Sequence, residues 1–355
     1  LVFAKRIKGS TMTDTIAQSA IEHPHLVSGP WTDEARTRAI QDEVREAYIS
    51  YFRKAVKTRN WLPWDDLPLN EMKERGHLLS EDTITMIEAF LGIEDYIGDY
   101  VEDAINIVRG DRERRNISII WGMEEVKHSE SWELVLLHSG IRTPDQIREY
   151  RDAVGAHRWT MGENHPGFDT PLGIAVYAMV QERATYFNYE ELRKRIRIEY
   201  GLPEQSTPEE RKRGQQYGAA AAFNIVARDE IAHHAMFLKL VSINMKYKPE
   251  ETLDMILKVL SGFNMPALYL IPNAADLEAA LRRTKMYTPL KHGRSVANPV
   301  LDALGFENKR ALERAVQQAK LLPPGLGPAH VAIGRAGDFV LSTTPDRTVV
   351  TGMSA

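Results

Sequence analysis

Apolar residues recur at three- and four-residue steps along most of the chain, a pattern that predicts helix almost throughout. Trp31-Thr32-Asp33-Glu34 opens a helix to about Lys57, acidic in its first turn and basic near its end. Pro63 and Pro68 then break the pattern. A second long helix is expected from about Ser80 to Val108, stopped by Gly110, and a third from about Asp111 to Ser139. A shorter helix, about Pro144 to Gly155, leads into the Gly-, Pro- and Asn-rich stretch Gly162 to Pro171. The fourth long helix covers about Leu172 to Tyr200 and the fifth about Pro208 to Lys246, with shorter helices near 250–263, 275–284 and 308–320. From Leu322 the chain turns Pro- and Gly-rich. The expected fold class is all-α, a four-helix bundle core with additional flanking helices.

Four of these helices each place a carboxylate inside an apolar stripe. Glu94 falls in step with Ile87, Leu91, Ile97, Val101 and Ile105. Glu125 and His128 share a face with Trp121, Trp132 and Val135. Glu182 and Thr185 share one with Ala175, Ala178 and Tyr189, and Glu230 and His233 with Val226, Phe237 and Val241. Two of the stripes contain Glu-x-x-His, which sets a carboxylate and an imidazole one turn apart on the same side. A single such pair arises easily in a charged helix. Two of them, each matched by a partner glutamate, describe a binuclear metal site in a four-helix bundle.

Burying four ionised carboxylates without partners would cost several kcal/mol each, about as much as a fold can bear. Two divalent cations would neutralise them, and carboxylate with imidazole suits iron or manganese. The further acids Glu88, Glu124 and Asp229 are expected to face water or to back the histidines.

Composition narrows the setting. The chain has 355 residues, 43% hydrophobic and 26% charged, the proportions of a globular protein. A net charge of -4 gives no reason to expect nucleic acid as a partner, and no apolar run reaches membrane-spanning length. With no cysteine, metal ligands must come from Asp, Glu and His, and a reducing, cytoplasmic location is expected. Residues 1–30 read as an N-terminal arm whose first part, Leu1 to Thr11, is either an added lead before Met12 or native. Residues 31–324 read as the metal-binding domain, and 325–355 as a tail packed on the surface or partly mobile.

Several segments together resemble the soluble acyl-acyl-carrier-protein desaturases, of the ferritin-like di-iron carboxylate proteins. Trp61-Leu62-Pro63-Trp64-Asp65-Asp66-Leu67-Pro68 is similar to that family's W-x-P-x-D-x-L-P segment. Ile93-Glu94-Asp95-Tyr96 resembles the start of its first ligand helix, and Trp121-Gly122-Met123-Glu124-Glu125-Val126-Lys127-His128 resembles W-T-A-E-E-N-R-H. Gln181-Glu182-Arg183-Ala184-Thr185 matches Q-E-R-A-T, and Ala227-Arg228-Asp229-Glu230-Ile231-Ala232-His233 resembles A-A-D-E-K-R-H. The resemblance implies two iron ions held by Glu94, Glu125, His128, Glu182, Glu230 and His233, with Glu125 and Glu230 as bridges. It implies Thr185 as a proton relay beside the oxygen-binding face. It also implies acyl carrier protein bearing the substrate, a ferredoxin-type electron donor, and a homodimer.

Under that resemblance the activity is dioxygen-dependent desaturation of the carried acyl chain. The alternatives are hydroxylation of a carrier-tethered acyl or polyketide chain and, from another class, ferritin-type iron oxidation or storage. The departures lie beside the ligands: Ser129-Glu130 follow His128, His234 follows His233, and Gly98 stands where the family has proline. Arg183 and the run Arg193-Lys194-Arg195-Arg197 are candidates for a basic rim facing an acidic carrier. Trp61 and Trp64 are candidates for an electron route or simply for packing.

Overall fold

A computed structural model describes residues 32–213, 217–322, 330–333 and 339–342. The chain starts with α1 (Asp33–Thr58), then the short α2 (Pro63–Asp66) and α3 (Leu69–Arg75), and then α4 (Glu81–Asp95), α5 (Ile97–Ile107) and α6 (Arg112–His138). α7 (Pro144–Gly155) and α8 (Met161–Asn164) lead to α9 (Pro171–Glu199), α10 (Pro208–Arg213) and α11 (Gly218–Tyr247). α12 (Pro249–Gly262), α13 (Ala274–Thr284), α14 (Pro289–His292), α15 (Asn298–Ala303) and α16 (Lys309–Ala319) follow. The fold is all-α, a four-helix bundle core with flanking helices. Among the described residues one element departs from helix, a hairpin of β1 (His330–Ile333) with β2 (Phe339–Ser342), paired antiparallel with His330 opposite Ser342. The expected arm, residues 1–30, lies outside the described residues, as does most of the expected tail.

Helix starts follow local chemistry. Thr32, Ser80, Asp111, Thr143 and Thr170 each accept a backbone N–H at a helix N-terminus, and Thr143 with Gln146 completes a capping box. The bundle core is α4, α6, α9 and α11. α9 packs along α11, α4 against α6, and α1 covers both α6 and α11. Gly122 permits a close approach of α5 to α6, because a Cβ there would lie 2.4 Å from a Val101 methyl carbon.

Two of the expected long helices are interrupted. The span from Ser80 to Val108 breaks at Tyr96, whose ψ is 3°, immediately after the Glu94-Asp95 pair. Tertiary anchors hold the break: Tyr96 Oη donates to the Val154 carbonyl at 3.0 Å, and Asp95 pairs with Arg151 at 2.9 Å. Beyond it Val101 and Ile105 are only half-buried. The fifth helix is likewise two, α10 and α11, with Tyr217 extended and Gly218 at φ +45°. A side chain at Gly218 would meet the Tyr200 hydroxyl at 2.9 Å, so this sharp entry into α11 requires glycine.

Candidate metal centre

The four core helices bring the six expected residues together. Ligand atoms of Glu94, Glu125, His128 and Glu230 form one group and those of Glu125, Glu182, Glu230 and His233 a second, each within 4.8 Å. All six side chains are buried. Glu125 and Glu230 belong to both groups.

Each imidazole turns Nδ1 toward the carboxylates. His128 Nδ1 lies 2.9 Å from Glu125 Oε2 and 3.2 Å from Glu230 Oε1. His233 Nδ1 lies 2.8 Å from Glu125 Oε1 and 3.4 Å from Glu182 Oε2. The Nε2 atoms point outward, each to an acid on the opposite helix. His128 of α6 faces Asp229 of α11 at 3.5 Å, and His233 of α11 faces Glu124 of α6 at 3.2 Å. The His233 contact is a hydrogen bond, whereas His128 Nε2 makes none and stands at ion-pair distance from Asp229; both acids are placed where an outer carboxylate orients a metal-binding histidine. Glu88 instead pairs with Arg142 at 2.6 Å.

Outside these acids stands another set of partners, all but Lys127 from segments that carry no ligand. Glu124 accepts from Tyr51 Oη at 2.6 Å and from Arg59 Nε and Nη2 at 3.1 and 3.0 Å. Asp229 accepts from Trp61 Nε1 at 2.7 Å, with Lys127 Nζ at 3.5 Å. Trp61 is therefore tied to the centre, whereas Trp64 is 57% exposed. On the inner side, Trp121 Nε1 donates to Glu182 Oε1 at 2.9 Å, and Tyr189 Oη donates to Glu94. Sequence reasoning missed Tyr51 and Arg59. Both belong to α1 or its end, and nothing in their own spacing points at a site.

Charge accounts for the proton affinities. Burial, then repulsion from Glu125, raises Glu94 and Glu182 above the ordinary carboxylate value and Glu230 in the same way. Burial also works to raise Glu125, but the two histidines that face it outweigh burial and hold it low. Against burial, the surrounding acids raise both His128 and His233 well above 6.5. Glu124 is desolvated too, yet His233, Arg59 and Tyr51 together lower it to about 2.

The donor set fits two divalent cations. Both oxygens of Glu230 and Oε2 of Glu182 are buried without a well-formed hydrogen bond, in a place where the fold otherwise satisfies its polar atoms. Four carboxylates and two imidazoles, converging and short of protons or cations, are oxygen and nitrogen ligands of the kind iron and manganese take.

The other expected residues are placed less centrally. Thr185 is buried one turn from Glu182, but its hydroxyl donates to the Gln181 carbonyl of its own helix at 3.1 Å. His234 turns away, with Nδ1 2.7 Å from the Met179 carbonyl, and burial lowers its proton affinity. Arg183 donates to the Ser295 carbonyl at 3.1 Å and covers the Tyr186 ring. The cationic run is paired residue by residue: Arg193 with Glu190, Lys194 with Glu191, Arg195 with Glu199 and Arg197 with Glu210. It forms no free basic rim.

A narrow cavity of about 50 Å³ adjoins the second group, lined by Trp121, Ala178 and Gln181 beside the ligands and by Tyr100, Tyr177 and Phe237 beyond. Its polar side chains are mostly engaged elsewhere. Tyr177 Oη donates to the Asn264 carbonyl, Tyr100 Oη to Ile93, and Ser118 Oγ to Arg114. What remains to a guest is a largely apolar wall, with the Trp159 indole N–H the uncommitted polar group among its lining side chains.

No known family profile matches the chain, and no curated protein matches it. Among solved structures, the chain is similar to the R2-like ligand-binding oxidase from Sulfolobus acidocaldarius. That likeness has 15% identity and a TM-score of 0.42, and covers 78% of this chain and 92% of the other. It is also similar to a variant R2-like ligand-binding oxidase with an aerobically reconstituted Mn/Fe cofactor, at 15% identity, 81% and 94% coverage and a TM-score of 0.42. Both likenesses are remote. Among the described residues no helix is long and apolar enough to cross a membrane.

Proposed function

We propose that this protein is a dioxygen-dependent di-iron oxidoreductase that desaturates an acyl chain held on acyl carrier protein, with electrons from a ferredoxin-type donor. The observation that carries the reading is the pair of buried Glu/His groups sharing Glu125 and Glu230 beside an apolar cavity. Glu94 and His128 would hold one ion, Glu182 and His233 the other, and Glu125 and Glu230 both. When bound, two iron ions would let dioxygen, with two electrons from the donor, serve as the oxidant that takes two hydrogens from an unactivated chain and is itself reduced to water.

The rest falls to the chain's own side chains. Asp229 and Glu124 keep each imidazole aimed inward through Nε2. Trp121 and Tyr189 orient the two terminal glutamates, Glu182 and Glu94, by one hydrogen bond each. Trp121, Ala178 and Phe237 keep water from the cavity side of the second group. Because the cavity's hydroxyls are committed to backbone carbonyls, a hydrocarbon segment suits it better than a polar substrate. At about 50 Å³ it holds only a short stretch of chain, so movement of its wall is part of substrate entry.

The deciding assay supplies iron, a reductant, dioxygen and a panel of carrier-bound acyl chains, and analyses products by mass spectrometry. The expected product has lost two hydrogens. A product with one added oxygen would make the enzyme a hydroxylase, and no oxidised product at any chain length would sink the reading.

A further inference from the structure

Two tryptophans line the cavity beside the second donor group, and their indole N–H groups are used differently. Trp121 donates its own to Glu182 Oε1 at 2.9 Å. Trp159 is the more deeply buried, 3% exposed against 8%, yet its Nε1 has no acceptor. The residue is firmly held. Its backbone N–H donates to Asp99 Oδ2 at 2.8 Å and that of Met161 to Asp103 Oδ2 at 2.7 Å, so two carboxylates of α5 fix the segment that carries it. Its ring stands edge-on to Tyr100, with centroids 4.7 Å apart and planes at 86°. A buried donor without an acceptor is costly, and protein interiors nearly always pair such groups. One that borders a cavity is satisfied by what enters it.

The rest of the lining gives a methylene chain nothing to register against. Tyr100, Tyr177 and Ser118 direct their hydroxyls to backbone carbonyls, and Ile174 and Phe237 are apolar. A run of identical methylenes can slide along such a wall, whereas a few placed polar groups fix orientation in a largely apolar site. An oxygen on the chain, bonded to Trp159, would stop it at one position relative to Trp121 and Glu182. An indole N–H donates only, so the group it recognises is an acceptor. A carbonyl fits, because it accepts without bringing an O–H that needs a partner of its own.

We propose that Trp159 determines specificity: its indole N–H donates to a carbonyl oxygen borne on the substrate's hydrocarbon chain, and so sets which carbons lie beside the metal centre. The substrate class is then an oxygen-bearing acyl chain and not a plain saturated one. This rests on the reading above, in which the cavity takes the reacting stretch of chain. The competing occupant is a water trapped between Trp159 and His165, whose Nε2 is also buried without a partner and whose ring centroid is 6.1 Å away.

Small free probes test the bond by itself, since they need neither carrier protein nor turnover. The full-length chain loaded with Zn(II) has six tryptophans and so six indole N–H resonances to follow by NMR. Diethyl ketone should shift the Trp159 resonance, identified by its absence from Trp159→Phe, and pentane should leave it in place. Trp159→Phe should weaken diethyl ketone about 10-fold while changing pentane by less than about 2-fold. Should that variant not fold, Tyr100→Leu identifies the same resonance by removing the ring packed against it. A ketone that moves the resonance no more than pentane does, as when a trapped water keeps the N–H, would overturn the proposal. So would a Trp159→Phe variant that weakens both probes alike or neither.

Discussion

His128 and His233 face the same glutamate with Nδ1 and an acid of the opposite helix with Nε2, yet their surroundings differ. Behind His128, Asp229 is held by a Trp61 indole and a Lys127 ammonium. Behind His233, Glu124 is held by a Tyr51 hydroxyl and two guanidinium bonds from Arg59. The inner sides differ as well. Glu94 is tied to Tyr189, whose ring packs among Phe90, Trp132 and Phe223, while Glu182 is tied to Trp121, a wall of the cavity. One half is sealed by aromatic packing and the other opens on space for a guest. Two copies of one motif thus present equal carboxylate and imidazole donors, and the residues around them close one side and leave space on the other.

The largest expected effect comes from removing what the halves share. Glu230→Ala should abolish tight binding of both ions, read as metal content after desalting, while Glu182→Ala should spare the ion on the His128 side. Equal losses from both variants would erase the distinction between the halves.

Next come the outer acids. Glu124→Ala leaves the nearly buried Arg59 with only its 4.0 Å contact to Asp229 and should cost about 3 kcal/mol in denaturant unfolding, with metal affinity falling on the order of 10–100-fold. The gentler Asp229→Asn keeps an acceptor for Trp61 and should cost about 1 kcal/mol. A reversed order would show that Trp61, not Arg59, bears the greater load.

The pH dependence follows from the raised proton affinities. Without metal, His128, His233, Glu94, Glu182 and Glu230 all hold protons in the fold that the unfolded chain releases earlier. Their contribution is complete below the ordinary values and is lost as pH rises, for the histidines from about pH 6.5 upward. Glu124 and Glu125, held low, act with the opposite sign, but their contribution is already complete above about pH 4.5. The metal-free melting temperature should therefore decline above about pH 6.5, and the gain on adding Fe(II) or Mn(II) should grow over the same range. A flat metal-free profile would contradict this account.

The smallest effects belong to the cavity side. Trp121→Phe removes one bond to Glu182, about 1 kcal/mol, and should alter the spread of acyl-chain products more than stability. Thr185→Val should leave metal content intact and slow turnover. Its hydroxyl bonds only within its own helix, so a change in stability beyond about 1 kcal/mol would point to a structural role instead.

The six central residues were legible because a three-residue step on a helix is local geometry, and because a carboxylate in an apolar stripe is conspicuous. What lies around them was only partly so. Asp229 and Glu124 could be suspected as backing residues, but not which histidine each backs, since the pairing crosses between helices. Tyr51 and Arg59 gave no signal, for they reach the centre through the packing of α1. The breaks at Tyr96 and Tyr217 depend on contacts with Val154 and Tyr200 that no local pattern announces. Arg193 to Arg197 looked like a cationic edge because their acid partners, three of them in the same helix, were not read with them.

The crossed backing of the histidines also bears on biosynthesis. Glu124 and His233 stand 109 residues apart, so neither helical hairpin alone can orient both imidazoles. A nascent chain that has emerged only through α6 carries Glu94, Glu125 and His128, but not the Asp229 that aims His128 inward. Both donor groups are complete only once α11, which carries Glu230, has packed against α6.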